Sequence, residues 1–206
     1  MSDWIKPVVL SGQQVRLEPL QASHAAALQA VAADGELWKL WYTTVPRPEA
    51  TAAYIDTALS LQAQGSAVPF VVRQLDSRGE PGAIVGCTRY MNIDQKNRRF
   101  EIGSTWYARS VQRSGVNTET KLLLLGHGFE TLQAIAVEFR THFMNNASRQ
   151  AIARLGAKQD GVLRNHMIMP DGSYRDTVVF SIVAAEWPAV RNNLQFKLAA
   201  HAPNAA

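Results

Sequence analysis

The chain has 206 residues, 47% hydrophobic and 18% charged, with a net charge of +4. That composition suits one globular domain with a sizeable core and excludes an extended disordered protein. Cys87 is the only cysteine, which excludes an intrachain disulfide and a cysteine-rich metal site.

Val15-Arg16-Leu17-Glu18 alternates apolar with polar and predicts a first strand, closed by Pro19. Ser23 stands before HAAALQAVAAD, a predicted helix with Ser23 as its cap. The segment LWKLWYTTVP that follows is aromatic and irregular. Pro48 opens a second helix running to about Gln64, with Ala52, Ile55 and Leu59 at helical spacing and Gly65 as its stop. Strands are predicted over residues 68–75, 83–92 and 98–107, separated by Gly-, Pro- and Asp-rich linkers.

A helix is predicted over 118–132, with Leu122, Leu125, Phe129 and Leu132 as its apolar stripe. A strand at 136–142 and a short helix opened by Asn145/Asn146 come next. Ala151, Ile152 and Leu155 form that helix's inner face, and Gly156 ends it. Pro170-Asp171-Gly172 is a hairpin turn between strands 162–169 and 174–183. A strand, a helix and a further strand in one sheet need a crossover. The expected fold is therefore α+β, with a mixed, mostly antiparallel central sheet flanked by helices. One domain spans 1–206, with its core at 12–188 and an extension at 189–206 that is helical or loose.

The chain lacks a basic-then-apolar leader at MSDWIKPVVLSGQQ and an apolar run near the roughly 20 residues of a membrane helix. A cytoplasmic protein with no membrane partner is expected. The basic residues are scattered, so a pI near 9.4 does not mark a nucleic-acid surface. It does favour a small anionic ligand.

The stretch SVQRSGVNTETKLLLL focuses that expectation. Amide hydrogens in a helix's first turn lack internal partners and carry partial positive charge, so a glycine turn there can curl around a phosphate. Gly115 would permit close approach, Arg113 would add a full charge and Thr118 a hydroxyl. Asn117 tolerates left-handed backbone. An ordinary capped helix explains the same spacing.

Gln112-Arg113-Ser114-Gly115-Val116-Asn117 resembles the Gln/Arg-x-x-Gly-x-Gly/Ala loop of the GCN5-related N-acetyltransferases (GNAT). FEIGSTWY, FRTHFMNNASRQAIARLGAKQDGVLR and MPDGSYRDTVVFSI resemble its RimJ/RimL branch, the ribosomal-protein N-terminal acetyltransferase type. The resemblance runs from about Val15 to Trp187. It implies a βαβ core that binds acetyl-CoA as co-substrate without metal. It also implies transfer of the acetyl group, by direct attack, to a primary amine on a peptide N-terminus or a small molecule. A non-catalytic coenzyme-binding module is the alternative, and a monomer or homodimer is expected. The chain departs from the pattern twice. Asn117 stands where the loop has a small residue, and Ile152 where many relatives place a tyrosine that protonates the departing thiolate.

Within that resemblance, Trp106 and Tyr107 would offer backbone groups to the pantetheine arm, and residues 112–118 would wrap the pyrophosphate. Asn145 would bond the pantetheine amides, and Ser148 would lie near the sulfur as a proton donor. Glu101 is the candidate acceptor of the amine's proton; pairing with Arg98 or plain solvation explains it equally. Trp38, Trp41 and Tyr42 are expected to wall the acceptor site or else to seal the core. His127, His142 and Cys87 are expected to be structural.

Overall fold

The computed structural model describes residues 4–200. One eight-stranded sheet runs in the order β1-β2-β3-β4-β5-β6-β8-β7. Its strands are β1 (Leu10–Ser11), β2 (Val15–Pro19), β3 (Ala67–Leu75), β4 (Pro81–Asp94), β5 (Arg99–Tyr107), β6 (Ala136–His142), β7 (Lys158–Ile168) and β8 (Tyr174–Val183). All neighbouring pairs are antiparallel except β5 and β6, which are parallel. The helix α3 (Val116–Gly126) makes that crossover. The mixed sheet expected from the element order is therefore present.

Each sheet face carries its own core. On one, Leu17, Phe70, Tyr90 and Phe100 pack against Leu124, Leu125 and Phe129, and against Trp187 and Leu194 of α5 (Trp187–Ala199). On the other, Val71, Cys87 and Trp106 meet Leu28 and Val31 of α1 (Ala25–Ala33) and Ile55 and Ala58 of α2 (Thr51–Ala63). The terminal helix is thus a wall of the core rather than an appendage. The expected loose tail from 201 onward lies outside the described residues.

Local differences from the sequence reading have physical causes. Ser23 sits inside a 3-10 turn, Ala22–His24, so it does not cap α1. The helix α2 turns Thr51, Ile55 and Ala58 inward and leaves Ala52 exposed. α3 starts two residues earlier than expected and gives way to a π-helical segment, His127–Thr131. A π turn takes more residues than an α turn, so it breaks a 3.6-residue stripe. Leu124 and Leu125 are buried, while Leu122 and, beyond the π segment, Leu132 are only partly so. Tyr90 donates its hydroxyl to the Leu124 carbonyl (2.8 Å), tying β4 to this transition.

One buried acid anchors the start of the sheet. The Glu119 carboxylate in the first turn of α3 accepts backbone N–H bonds from Gln13, Gln14 and Val15 at 2.8, 2.6 and 2.7 Å. An added Cβ at Gly12 would meet that carboxylate at 2.5 Å, so a side chain there would have to push the acid off its N–H donors.

Candidate active site

β5 and β6 pair over only three positions, Arg99↔Ala136, Phe100↔Val137 and Glu101↔Glu138. Beyond them the strands part. The cause lies in β5: Cys87 pairs with Trp106 and Arg89 with Gly103, so Ser104 and Thr105 together face Thr88. This extra residue is a bulge, with Ser104 at φ 47°, and a bulge bends its strand away from the neighbour. The opening is a cleft of about 650 Å³ walled by β5, β6 and α4 (Asn146–Leu155). Among the described residues its lining contains four arginines, Arg113, Arg140, Arg154 and Arg175, and no aspartate or glutamate. Such a wall favours anionic ligands.

The loop at the α3 mouth faces the cleft through Gln112, Arg113, Ser114 and Asn117. Arg113, not Gly115 or Asn117, takes the left-handed conformation, at φ 62°. Gly115 is right-handed, and an added Cβ would meet the Gln14 amide at 2.4 Å. A side chain at 115 would therefore displace the end of the Gln14 side chain, in the segment that leads into β2. Ser114 spends its hydroxyl on the loop itself, donating to the Val111 carbonyl at 2.6 Å and accepting from the Val116 N–H at 3.3 Å. Gln112 donates to the Tyr107 carbonyl at 3.3 Å. Val116 and Thr118 are buried behind the mouth and do not line it. The amides of Asn117 and Thr118 nevertheless belong to the first turn of α3, where no helical partner exists. Amides, Arg113 and a cleft of this volume together fit a phosphate-bearing chain such as coenzyme A.

Trp106 and Tyr107 both border the cleft, but the Trp106 ring is core, with its indole N–H donated to the Tyr54 hydroxyl at 3.3 Å. Across the opening, Asn145 caps α4, its Oδ1 accepting the Ser148 N–H at 3.0 Å. Asn145 and Ser148 both line the cleft, as does Ile152 in the tyrosine position. Capping and cleft exposure therefore coexist in Asn145.

Glu101 is neither solvated nor paired with Arg98. It is buried, accepts from the Asn92 side-chain amide at 2.7 Å and lies 3.6 Å from the Arg140 guanidinium. Burial pushes its pKa up, against the opposing pull of Asn92 and Arg140. It does not line the cleft itself; Gly103 does, and a Cβ there would come within 2.8 Å of Glu101 Oε1. The missing side chain at 103 leaves this carboxylate one residue from the point where the strands part.

Of the aromatic trio only Tyr42 lines the cleft. Trp41 is 54% exposed and stands edge-on to Tyr42 and to His142. Trp38 lies apart from the cleft, under the Lys39 and Arg47 cations. Cys87 is packed in the core, its thiol pushed up to about 12 by burial. His127 bonds the Tyr90 hydroxyl in the core, as expected of a structural histidine.

The sequence reading missed Lys121, Arg140 and Arg175, and counted His142 as structural although it lines the cleft. Lys121 is buried, with its Nζ bonded to the Thr105 hydroxyl at 2.8 Å and beside Thr88 at 3.4 Å. No carboxylate accompanies it, and burial lowers its pKa to about 7. It stands one helical turn after Asn117, so the i, i+4 spacing carried the signal. Among the described residues no group of acidic, histidine or cysteine side chains could hold a metal, and no helix is long and apolar enough to cross a membrane.

A sheet whose only parallel pair splays above the mouth of its crossover helix is the architecture of coenzyme-dependent acetyltransferases, and comparison with known proteins agrees. Residues 14–158 match the family description "Acetyltransferase (GNAT) domain". The chain therefore belongs to the GNAT family. A solved GCN5-related N-acetyltransferase from Brucella melitensis is 31% identical, with a TM-score of 0.82 over 94% of this chain and 86% of that one. The Bacillus subtilis (strain 168) protein "Putative ribosomal N-acetyltransferase YdaF" is 30% identical over 52% of this chain and 57% of its own length. This chain thus spans little more than half of that relative. Mycobacterium smegmatis RimJ, solved with CoA-disulfide, shares the fold at 22% identity and a TM-score of 0.74, covering 93% of each chain.

Proposed function

We propose that the protein transfers an acetyl group from acetyl-CoA to a primary amine, in the manner of the RimJ/RimL branch. The observation that carries this reading is the bulge-driven parting of β5 from β6, which opens an arginine-lined cleft at the unpartnered amides of α3. Arg113 and the α3 amides hold the phosphates. The free backbone edge of β5 from Gly103 to Tyr107 orients the pantetheine and polarises the thioester carbonyl; preorganised donors of this kind are worth about 3–4 kcal/mol. Asn145 presents its side-chain N–H₂ to the same arm, and Ser148 lies where a hydroxyl or its water can protonate the leaving sulfur. Glu101 takes the amine's proton past Gly103, directly or through water.

The use of acetyl-CoA and the transfer itself are tested by titrating acetyl-CoA calorimetrically and following CoA release with a panel of peptide and small-molecule amines. Tight binding without amine-dependent release in any case would point to a coenzyme-binding module. Absence of binding would overturn the reading.

A further inference from the structure

The acceptor end of the cleft holds a cation that no carboxylate pairs among the described residues. Arg140 is already neutralised: it contacts Glu138 at 2.9 Å and Glu101 at 3.6 Å. Arg175 is different. It is half-buried, lines the same cleft, and donates its Nε to the Thr177 hydroxyl at 3.0 Å. It forms no ion pair among the described residues, because the ion pairs nearby use other arginines and the acid that acts on it electrostatically, Glu101, is taken by Asn92 and Arg140.

His142 adds a second donor. Thr177 is its register partner on the adjacent strand, so Arg175, Thr177 and His142 share one face of the β6–β8 pair. The Met144 N–H donates to His142 Nδ1 at 3.0 Å, so the neutral ring carries its proton on Nε2. That Nε2 is buried and has no hydrogen-bond partner. A histidine 4% exposed with an unused N–H, next to an arginine with no counter-ion and a cleft wall free of carboxylates, is a site built for an anion.

The coenzyme's phosphates belong at the α3 mouth, on Arg113. Arg175 instead lies on the β6–β8 wall of the cleft, on the same face as His142 and as Arg140, whose guanidinium contacts the Glu101 carboxylate. We infer that the acceptor carries a carboxylate close to its reacting amine, and that Arg175, with the Nε2–H of His142, receives it. This inference rests on the acetyltransferase reading and narrows its substrate class. The carboxylate comes either from the α-carboxyl of a free amino acid or from an acidic side chain next to a peptide's N-terminal residue.

Matched acceptors that differ only in this charge decide the matter: L-serine against L-serinamide, and a Ser-Asp against a Ser-Asn peptide amide. In at least one pair the carboxylate member should have a kcat/KM about tenfold or more above its amide, and the pair that shows it identifies the source. Arg175→Gln should erase that discrimination through KM, and Arg175→Lys should restore part of it. Equal use of both members in both pairs, or a preference that survives Arg175→Gln, overturns the inference. If no amine releases CoA, the acetyltransferase reading fails on its own. The anion site is then judged by calorimetric binding of N-acetyl-L-serine against N-acetyl-L-serinamide in the presence of CoA. Equal affinities there would also reject it, whereas a preference lost in Arg175→Gln would uphold it.

Discussion

Replacing Lys121 with methionine removes a titratable group from between α3 and β5 while keeping a flexible stem of similar length. In the folded protein Nζ has only the hydroxyls of Thr105 and Thr88 as partners, and burial lowers its pKa from 10.5 to about 7. The unfolded lysine titrates near its ordinary value. Between these limits the unfolded chain binds the additional proton, so stability must rise with pH across the window. The penalty is complete below about pH 7, shrinks as pH rises, and is absent above about 10.5. From about pH 7 to about pH 9 the wild type should gain about 2 kcal/mol relative to Lys121→Met, which has nothing to titrate there. Urea unfolding of both proteins at both pH values measures the difference of differences directly. An identical pH response in the two proteins would show that Nζ stays protonated on folding, and the account of this buried amine would be refuted.

Other perturbations separate the parts of the site. Arg113→Ala should weaken acetyl-CoA binding by about 1–2 kcal/mol, read calorimetrically, with little change in melting temperature; an unchanged affinity would move the phosphates elsewhere. Ser148→Ala should lower kcat with modest effect on coenzyme affinity, and unaltered kinetics would remove its hydroxyl from the proton path. Glu119→Ala strips three backbone donors of their acceptor, the Val15 N–H among them buried, and should cost about 1–3 kcal/mol in denaturant unfolding. A loss within experimental error would mean that water replaces the carboxylate.

The sequence was most legible where a local rule decides the structure. The strands alternate or end in turn residues, and β6 and the Pro170-Asp171-Gly172 hairpin fall where expected. The Asn145 cap follows from one side-chain oxygen and one N–H three residues along the chain. What escaped depends on several elements at once. Gly103 inside a strand is compatible with a bulge, but the bulge's place at Ser104 and Thr105 is defined only by counting β5 against β4. Arg140 and Arg175 come from different strands, and only the β6–β8 register puts them on one wall. Glu119 looks like a solvated helix-start acid until β2's leading segment is laid over it. Gly115 likewise has a neighbour that no local rule announces, the Gln14 side-chain amide standing where its Cβ would be.

The absence of carboxylates from the cleft wall bears on the proton that the acceptor must lose. A guanidinium ~8 Å from an ammonium group, at an effective dielectric of ~20–40, disfavours it by about 1–2 kcal/mol, roughly one pKa unit. That shift helps an α-amine, which titrates near neutrality, far more than an alkyl amine that starts near 10. Glu101 must supply the rest, and its burial, which raises its pKa, makes it a stronger base than an exposed glutamate. Glu101→Gln should therefore lower kcat severely for an alkylamine acceptor and less for an α-amine. The acidic limb of the wild-type kcat/KM profile should also stand above the ordinary carboxylate range and vanish in the variant. Were the deficit the same for both amines and the limb unmoved, Glu101 would be holding Arg140 and Asn92 in place, and bulk water would be taking the proton.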